Sequence, residues 1–350
     1  MAAKEATNVR RMMVILLMLL IVPALAGAVP DTPYAPETAP RYTLLTEAQQ
    51  ALLDTFHAAA TAGQTRIDLP AGTRYDDAAA ALELLTLDYP ELAGLERQYV
   101  IGYYRHAPQE ATYAELRYAA SLPEMTAMRR GLVIAAEEMA RGAQGGSDFR
   151  REMDLHDALC ARVTYDPAAP HPHDAYGALY EGRATCEGYA QAMTLLLRMS
   201  GIPCTAVTGL AWNGQVMGPH AWNYVYVGGA WGHLDATYDD QQETTLHWYF
   251  NLSDGQMGQD HQWDYLPPLG GRADPAEYHL IMGTLAATAA EAEAILARDW
   301  QAGSVSLRFA DRAAYEAFTA DVEGALRRIG ADSCRIMKND QQLCVLVSVP

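Results

Sequence analysis

A cysteine at the start of an apolar helix constrains this chain more than any other feature. Residues 176–197 read YGALYEGRATCEGYAQAMTLLL, and Cys186 stands where a glycine-containing segment changes to apolar residues at helical spacing. The spacing predicts a thiol in the first turn of a helix, where free backbone N–H groups and the helix dipole favour an anion. This position is typical of a nucleophilic thiolate, and a buried structural cysteine is the alternative that the stretch alone leaves open.

The residues after this helix predict a β-hairpin that brings a histidine and an aspartate together. In HAWNYVYVGGAWGHLDATYDD, residues 220–240, two β-rich runs flank a Gly-Gly pair, the composition of a two-residue turn. With that turn, His220 lies opposite Thr237 and Trp222 lies opposite Asp235. Because side chains alternate between the faces of a strand, His220 and Asp235 then share a face and can form a hydrogen bond.

Cys186, His220 and Asp235 together supply a nucleophile, a base and a group that orients the base. The thiolate attacks an amide carbonyl, the His220 imidazolium protonates the leaving amine, and Asp235 fixes the tautomer of the ring. Water or an amine then resolves the acyl-enzyme. The expected oxyanion hole uses the Cys186 backbone N–H, with Tyr176 as a candidate second donor and Trp222 as a residue that lines the site.

The first 28 residues have the three parts of a secretory signal. Lys4, Arg10 and Arg11 precede an uncharged run at residues 12–22, and small residues follow near the end of the segment. We therefore expect a secreted, extracellular or cell-surface protein. The alternative is an uncleaved segment that anchors the chain in a membrane, which would be the only membrane contact.

Charge and cysteine content narrow the expected partners. The 350-residue chain has a formal net charge of −18, which repels phosphate backbones and excludes nucleic acid as an expected partner. Five cysteines permit two disulfides and one free thiol in a secreted protein. A three-residue turn at 338–340 would place Cys334 opposite Cys344, where either a disulfide or two free thiols are possible.

His171 and His173 are interpreted as part of a rigid proline-rich loop, so no metal or cofactor is expected.

Composition changes along the chain predict five segments. Four prolines lie between residues 30 and 40, glycines cluster at 142–146, and a Pro-Pro…Gly-Gly pattern stands at 267–271. Mixed helical and β-rich patterns precede the glycine cluster, and a strand, helix, strand, strand pattern follows the last breakpoint. The predicted segments are a signal peptide at 1–28, a proline-rich linker at 29–41, an N-terminal α+β region at 42–146, a catalytic domain at 147–268 and a C-terminal α+β module at 269–350.

Three of these stretches resemble the transglutaminase-like superfamily of papain-like thiol enzymes, in particular its secreted bacterial members. They are YGALYEGRATCEGYAQAMTLLL, GIPCTAVTG and HAWNYVYVGGAWGHLDATYDD, and the later LHWYFNLSD and DHQW look like the usual continuation. The resemblance implies that Cys186, His220 and Asp235 form the triad. It also implies an α+β fold in which the cysteine helix packs on an antiparallel sheet, between the N-terminal mixed helical region and the small C-terminal module.

The resemblance implies a site but leaves the reaction open. Members of this superfamily cross-link proteins, cleave peptides, remove glycans from asparagine or have no activity. We expect a protease or transamidase acting on a protein or peptide substrate, including one associated with a cell surface or cell wall. The alternative is a catalytically silent module that binds peptide or wall polymer in the same cleft. The calcium loops of animal transglutaminases have no counterpart, and Asp239, Asp240 and Glu243 are interpreted as a solvated turn.

Overall fold

Helices are mixed with mostly antiparallel sheets across the described residues, which confirms the predicted α+β class. The computed structural model describes residues 32–143, 145–241, 243–269, 276–331 and 334–349. The predicted signal peptide therefore lies outside the described residues. Within the described ranges, no helix has both the length and the apolar character needed to cross a membrane.

The N-terminal region packs two helices on a three-stranded antiparallel sheet with the order β1-β3-β2. The first helix begins at a capping box, in which Thr46 accepts the backbone N–H of Gln49 and Gln49 accepts that of Thr46. The elements are α1 (Glu47–Thr61), β1 (Arg66–Asp68), α2 (Tyr75–Asp88), β2 (Leu95–Tyr104), β3 (Ala107–Tyr118) and α3 (Leu122–Gly142).

The described part of the predicted linker, residues 32–41, packs against the rest of the chain instead of forming a free spacer. It contains the short 3₁₀ helix Pro36–Thr38 and the start of a second, Pro40–Leu44. Tyr34 and Ala39 are buried, and the Tyr34 hydroxyl donates to Glu91 at 2.9 Å. The prolines prevent regular helix or sheet, as expected. The apolar residues between them nevertheless supply enough surface for the segment to dock.

The central region places the cysteine helix on an antiparallel sheet with the strand order β8-β7-β6-β9. The helix is apolar on nearly every face, and its residues from Gly188 to Arg198 are buried between the sheet and neighbouring helices. The elements are α4 (Asp148–Arg162), β4 (Thr164–Tyr165), β5 (Arg183–Ala184), α5 (Cys186–Met199), β6 (Cys204–Trp212), β7 (Met217–Val227), β8 (Ala230–Leu234), α6 (Ala236–Asp239), α7 (Asp254–Met257) and β9 (His261–Trp263).

The hairpin between β7 and β8 has the predicted turn and register. Val227 pairs with Ala230, and the pairing continues in the same register to Asn223 and Leu234. The ladder then ends, so the expected pair of Trp222 with Asp235 does not form. The reason is local, because the Asp235 carboxylate caps the short helix α6 by accepting the backbone N–H groups of residues 237 and 238. The pair of residues 220 and 237 is likewise absent.

The C-terminal module packs helices on a four-stranded sheet with the order β10-β11-β13-β12. The helix of the predicted strand, helix, strand, strand pattern is divided into two helices, because the first ends at Thr319 and the second begins at Val322. The elements are α8 (Tyr278–Met282), β10 (Leu285–Ala286), α9 (Ala289–Asp299), β11 (Ser304–Phe309), α10 (Arg312–Thr319), α11 (Val322–Arg328), β12 (Arg335–Asn339) and β13 (Cys344–Ser348).

The disulfide considered between Cys334 and Cys344 does not form, and all five cysteines are free. Asn339, not Cys334, pairs with Cys344 across the β12–β13 hairpin. The expected three-residue turn is wrong because the chain makes a longer turn, in which Leu343 has a φ of 53°. The Cys344 thiol is instead buried and donates to the carbonyl of Gln342 at 3.3 Å.

Glu152 on α4 gives the fold a pH-dependent stability. Its side chain is fully buried, Oε2 accepts a hydrogen bond from Asn251 at 2.6 Å, and burial raises the pKa of the carboxyl group to about 8. The folded chain therefore keeps a proton that the unfolded chain loses above its ordinary pKa of 4.5. Because the native state binds more protons in this range, the free energy of unfolding falls as the pH rises from 4.5 to 8.

We expect Glu152→Gln to be more stable than the native chain by about 3–5 kcal/mol at pH 8, since the amide stays neutral. At pH 5 the two chains should differ by less than about 1 kcal/mol. Urea denaturation at both pH values measures the difference, with the exposed Glu138→Gln on α3 as the control. Parallel pH dependence in the native chain and Glu152→Gln contradicts this assignment.

Candidate active site

Cys186 is the first residue of α5 and lies half-buried in a cavity of about 490 Å³. The preceding Thr185 has extended backbone angles and stops the helix from beginning earlier. Its backbone N–H and its hydroxyl both donate to the carbonyl of Pro172, at 2.7 and 2.9 Å. These bonds fix the approach to the helix. They hold the thiol at a helix N-terminus, as the sequence predicted.

His220 on β7 faces Cys186 across the same cavity, and Asp235 holds its ring from behind. His220 Nε2 lies 2.6 Å from Asp235 Oδ2, and both side chains are buried. This contact leaves Nδ1 as the ring nitrogen that can meet the Cys186 thiol, and the interaction with Cys186 contributes to raising the pKa of His220. Asp235 Oδ1 is occupied separately by the backbone of α6. The structure thus brings the three predicted catalytic residues together.

The electrostatics of this cluster favour a charged histidine. Burial alone disfavours the imidazolium, but the charge and hydrogen bond of Asp235, together with contact with Cys186, raise the pKa of His220 to about 10. Burial also opposes the charge on Asp235. The opposite charge of His220 and hydrogen bonds from His220 and His261 nevertheless hold the pKa of that carboxyl group well below its usual range. At neutral pH the arrangement therefore presents a positive ring to the thiol.

A second histidine, His261 on β9, contacts the same carboxylate and was not predicted as a site residue. Its Nε2 lies 3.2 Å from Asp235 Oδ2, and its Nδ1 lies 2.7 Å from Asp260. Burial lowers the pKa of His261, but the hydrogen bonds to these two carboxylates raise it overall. Asp260 and His261 belong to the DHQW segment. The resemblance of that segment to the superfamily's usual continuation was the one feature of the sequence that pointed to them.

The C-terminal module reaches this network through the turn after β12. Gln342 donates to Asp260 at 2.8 Å, and Asn339 donates at 2.8 Å to the Tyr249 hydroxyl, which itself donates to Asp260 at 2.8 Å. Asp260 in turn contacts His261. A continuous chain of buried polar contacts therefore joins the C-terminal module to the carboxylate that holds His220.

Trp222 was predicted to line the cavity, but it lies beneath His220 and is not part of the lining. Its ring is parallel to that of His220, with centroids 6.0 Å apart, and its indole N–H donates to His233 at 3.0 Å. The side chain is only 1% exposed. Tyr238 covers His220 at a centroid distance of 4.6 Å. The two aromatic rings restrict the movement of the imidazole.

The structure does not bring Tyr176 to the cavity, where it was expected as an oxyanion donor. Its ring stacks on Tyr180 at 4.8 Å and meets the edge of His171. Tyr165, an exposed residue of β4, lines the cavity instead. The backbone N–H of Cys186 remains the expected oxyanion donor, and its role stays a prediction.

The histidines of the proline-rich loop have separate partners. His171 Nδ1 contacts Glu181 at 2.8 Å, whereas His173 Nδ1 contacts Thr185 and Glu187, each at 3.0 Å. The two rings therefore serve different contacts, consistent with a rigid polar loop. The absence of a metal or cofactor stays a prediction.

The acidic turn that begins at the last residue of α6 is not wholly solvated. Asp239 is buried and accepts the backbone N–H groups of Trp248 and Tyr249, at 2.8 and 3.1 Å, so the solvated interpretation is wrong for this residue. Its Oδ2 also lies 3.4 Å from His156 Nε2. The carboxylate thus serves to fix the loop that follows the triad aspartate.

Comparisons with known proteins agree with the resemblance noted in the sequence. Residues 135–236 match the model of the transglutaminase-like superfamily. Kyphoscoliosis peptidase from Homo sapiens is 28% identical over 107 residues, and that from Mus musculus is equally similar. The match covers 26% of this chain and 16% of each relative, so this chain corresponds to only a small part of their length.

Solved structures give weaker likenesses. A TGase crystal structure has a TM-score of 0.29 at 14% identity, and the match covers 59% of this chain and 57% of the TGase chain. The periplasmic domain of TgpA from Pseudomonas aeruginosa, bound to ethylmercury, has a TM-score of 0.25 at 21% identity, with coverage of 39% and 59%. Both TM-scores are low.

Proposed function

Because residues 135–236 belong to the transglutaminase-like superfamily, we propose that the chain is a thiol enzyme acting on amide bonds of proteins or peptides. One observation carries the proposal. Cys186 stands at a helix N-terminus in the same cavity as His220, whose Nε2 lies 2.6 Å from Asp235. A nucleophile, a general acid–base and an orienting carboxylate are the groups that acyl transfer requires.

The reaction would proceed through a thioester on Cys186. The thiolate sulfur bonds to the amide carbonyl carbon, and the Cys186 backbone N–H stabilises the developing oxyanion. The imidazolium of His220 then gives its proton to the nitrogen as the C–N bond breaks, and the amine leaves. In the second step His220 takes a proton from water or from an acceptor amine, which attacks the thioester. The products are a carboxylic acid or a new amide, and the free thiol is restored.

Hydrolysis and transamidation differ only in the acceptor that reaches the thioester. The name of the human and mouse relatives, a peptidase, supports peptide hydrolysis in this chain. We further propose that the chain is secreted or held at the cell surface, because residues 1–28 have the pattern of a secretory signal. An extracellular or cell-wall protein would then be the substrate.

Casein provides the test of activity. We expect the native chain to cleave fluorescently labelled casein or to attach dansylcadaverine to it, and Cys186→Ala to do neither, because the sulfur is the nucleophile. Cys334→Ala is the matched control, since it removes a half-buried thiol in the C-terminal module. Mass spectrometry of a rapidly quenched reaction should find the acyl group on Cys186. If the native chain shows neither reaction yet binds casein, the alternative of a catalytically silent binding module is favoured.

A further inference from the structure

A second cavity of about 380 Å³ adjoins the Cys186 cavity. Arg97, His173 and Glu187 line both cavities, and Glu187 follows the cysteine directly in the first turn of α5. The two spaces are therefore parts of one cleft. The second part extends away from the thiol, between the N-terminal region and the proline-rich loop.

One wall of this second cavity is the backbone of β2. Five consecutive residues, 94–98, line it. β2 is an edge strand of its sheet, so its side turned away from β3 has no neighbouring strand among the described residues. Its register with β3 passes directly from Leu95 to Tyr99, so residues 96–98 form a bulge in which the side chains no longer alternate strictly between two faces. Unpaired backbone at a sheet edge can pair with an added strand.

The opposite wall is the loop at residues 170–174, and it is fixed in place. Thr185 binds the carbonyl of Pro172 through two hydrogen bonds, and the Asp174 carboxylate accepts backbone N–H groups of Gly177 and Gly94. The last of these bonds ties the loop to the residue before β2. The cavity is therefore a slot between two backbones that are already held in position.

The charged groups at the junction neutralise each other. Arg97 forms an ion pair with Glu187, and His173 contacts the second carboxylate oxygen of Glu187 at 3.0 Å. The remaining lining includes Leu95, Ala119 and two prolines, which are apolar. Glu96 also lines the slot, and much of the remaining lining is apolar, so an occupant would be recognised mainly by its extended backbone and by small apolar contacts.

We propose that the free edge of β2 binds the substrate polypeptide as an added strand and leads it to Cys186. This inference rests on the proposed function, and it specifies the substrate as an extended or unfolded segment, not the surface of a folded protein. At about 3.4 Å per residue, the five lining residues match a substrate segment of roughly five residues.

The test uses the full chain with Cys186→Ala, so that binding is separated from turnover. The probe is fluorescently labelled α-lactalbumin, either native or reduced and carboxymethylated, which compares one acidic protein in folded and unfolded forms. We expect only the unfolded form to bind and to slow amide hydrogen exchange at residues 95–98. Exchange at β1, the other edge of the same sheet, should not change.

A slot-filling variant provides the second measurement. Ala119→Trp in the Cys186→Ala chain should weaken binding of the unfolded probe at least tenfold by fluorescence anisotropy, because the exposed Ala119 lines the slot. Ala62→Trp, at an exposed position on α1's end, should leave binding unchanged. If both variants bind the unfolded probe equally, the proposed binding slot is wrong. It is also wrong if the probe slows amide hydrogen exchange at β1, or if exchange at residues 95–98 is already slow without the probe. None of these outcomes affects casein turnover by Cys186, so the proposed function is tested separately.

Discussion

Replacing Arg198 with methionine is expected to lower the free energy of unfolding by about 3–5 kcal/mol. The guanidinium group lies near the end of the cysteine helix and is fully buried. It donates to the carboxylate and the carbonyl of Asp88, both at 2.6 Å, and to the carbonyl of Cys204 at 2.8 Å. Methionine removes these bonds and leaves the Asp88 carboxylate buried without its counter-charge.

This ion pair also joins the two regions that form the proposed cleft. Asp88 ends α2 of the N-terminal region, and its second oxygen accepts the Thr205 hydroxyl of β6 at 2.8 Å. Urea denaturation measures the loss. Arg327→Met breaks an exposed ion pair with Glu323 and should cost less than about 1 kcal/mol. An Arg198→Met chain no less stable than Arg327→Met would contradict the buried pair's role.

Asp235→Asn is expected to reduce turnover of a casein substrate by roughly 10²- to 10⁴-fold. The asparagine keeps the size of the side chain but removes the negative charge that stabilises the imidazolium. Asp254→Asn is the matched control, because Asp254 contacts a different histidine, His233, at 3.2 Å. Turnover by Asp254→Asn should stay within about threefold of the native rate, since that pair lies outside the triad.

The same substitution should change the pH dependence of turnover. The native His220 has its pKa raised to about 10, so it remains a proton donor until the pH rises through that value. Without the charge of Asp235, burial acts against the imidazolium and lowers the pKa. The alkaline limb of the profile should therefore move down by at least about two pH units. An unchanged alkaline limb in Asp235→Asn would show that His220 is not the titrating donor.

Features determined by neighbouring residues could be predicted from the sequence. The start of the cysteine helix at Cys186 and the turn of the β7–β8 hairpin both depend on residues a few positions apart. The end of that hairpin could not be predicted by extending its register. Asp235 has two competing uses, as a strand residue and as a helix cap, and the cap forms.

Contacts between residues far apart in the sequence could not be predicted from local residue patterns. His261 reaches Asp235 across 26 positions, and Arg97 reaches Glu187 across 90, so neither partner could be identified from spacing. Trp222 was correctly located near His220 but on the wrong side of it. An alternating pattern gives the face of a residue and does not say which neighbour covers that face.

The pairing of a Cys186 thiolate with a His220 imidazolium is tested most directly by the rate at which Cys186 reacts with iodoacetamide as a function of pH, in the native chain and in His220→Ala. Mass spectrometry separates the alkylated cysteines, and half-buried Cys334 is an internal reference in the same molecule. A thiolate–imidazolium pair predicts rapid alkylation of Cys186 at pH 6, well below the ~8.5 pKa of a free thiol, and roughly 100-fold slower alkylation in His220→Ala. Alkylation of Cys186 at the same slow rate in both chains would contradict the proposed nucleophile.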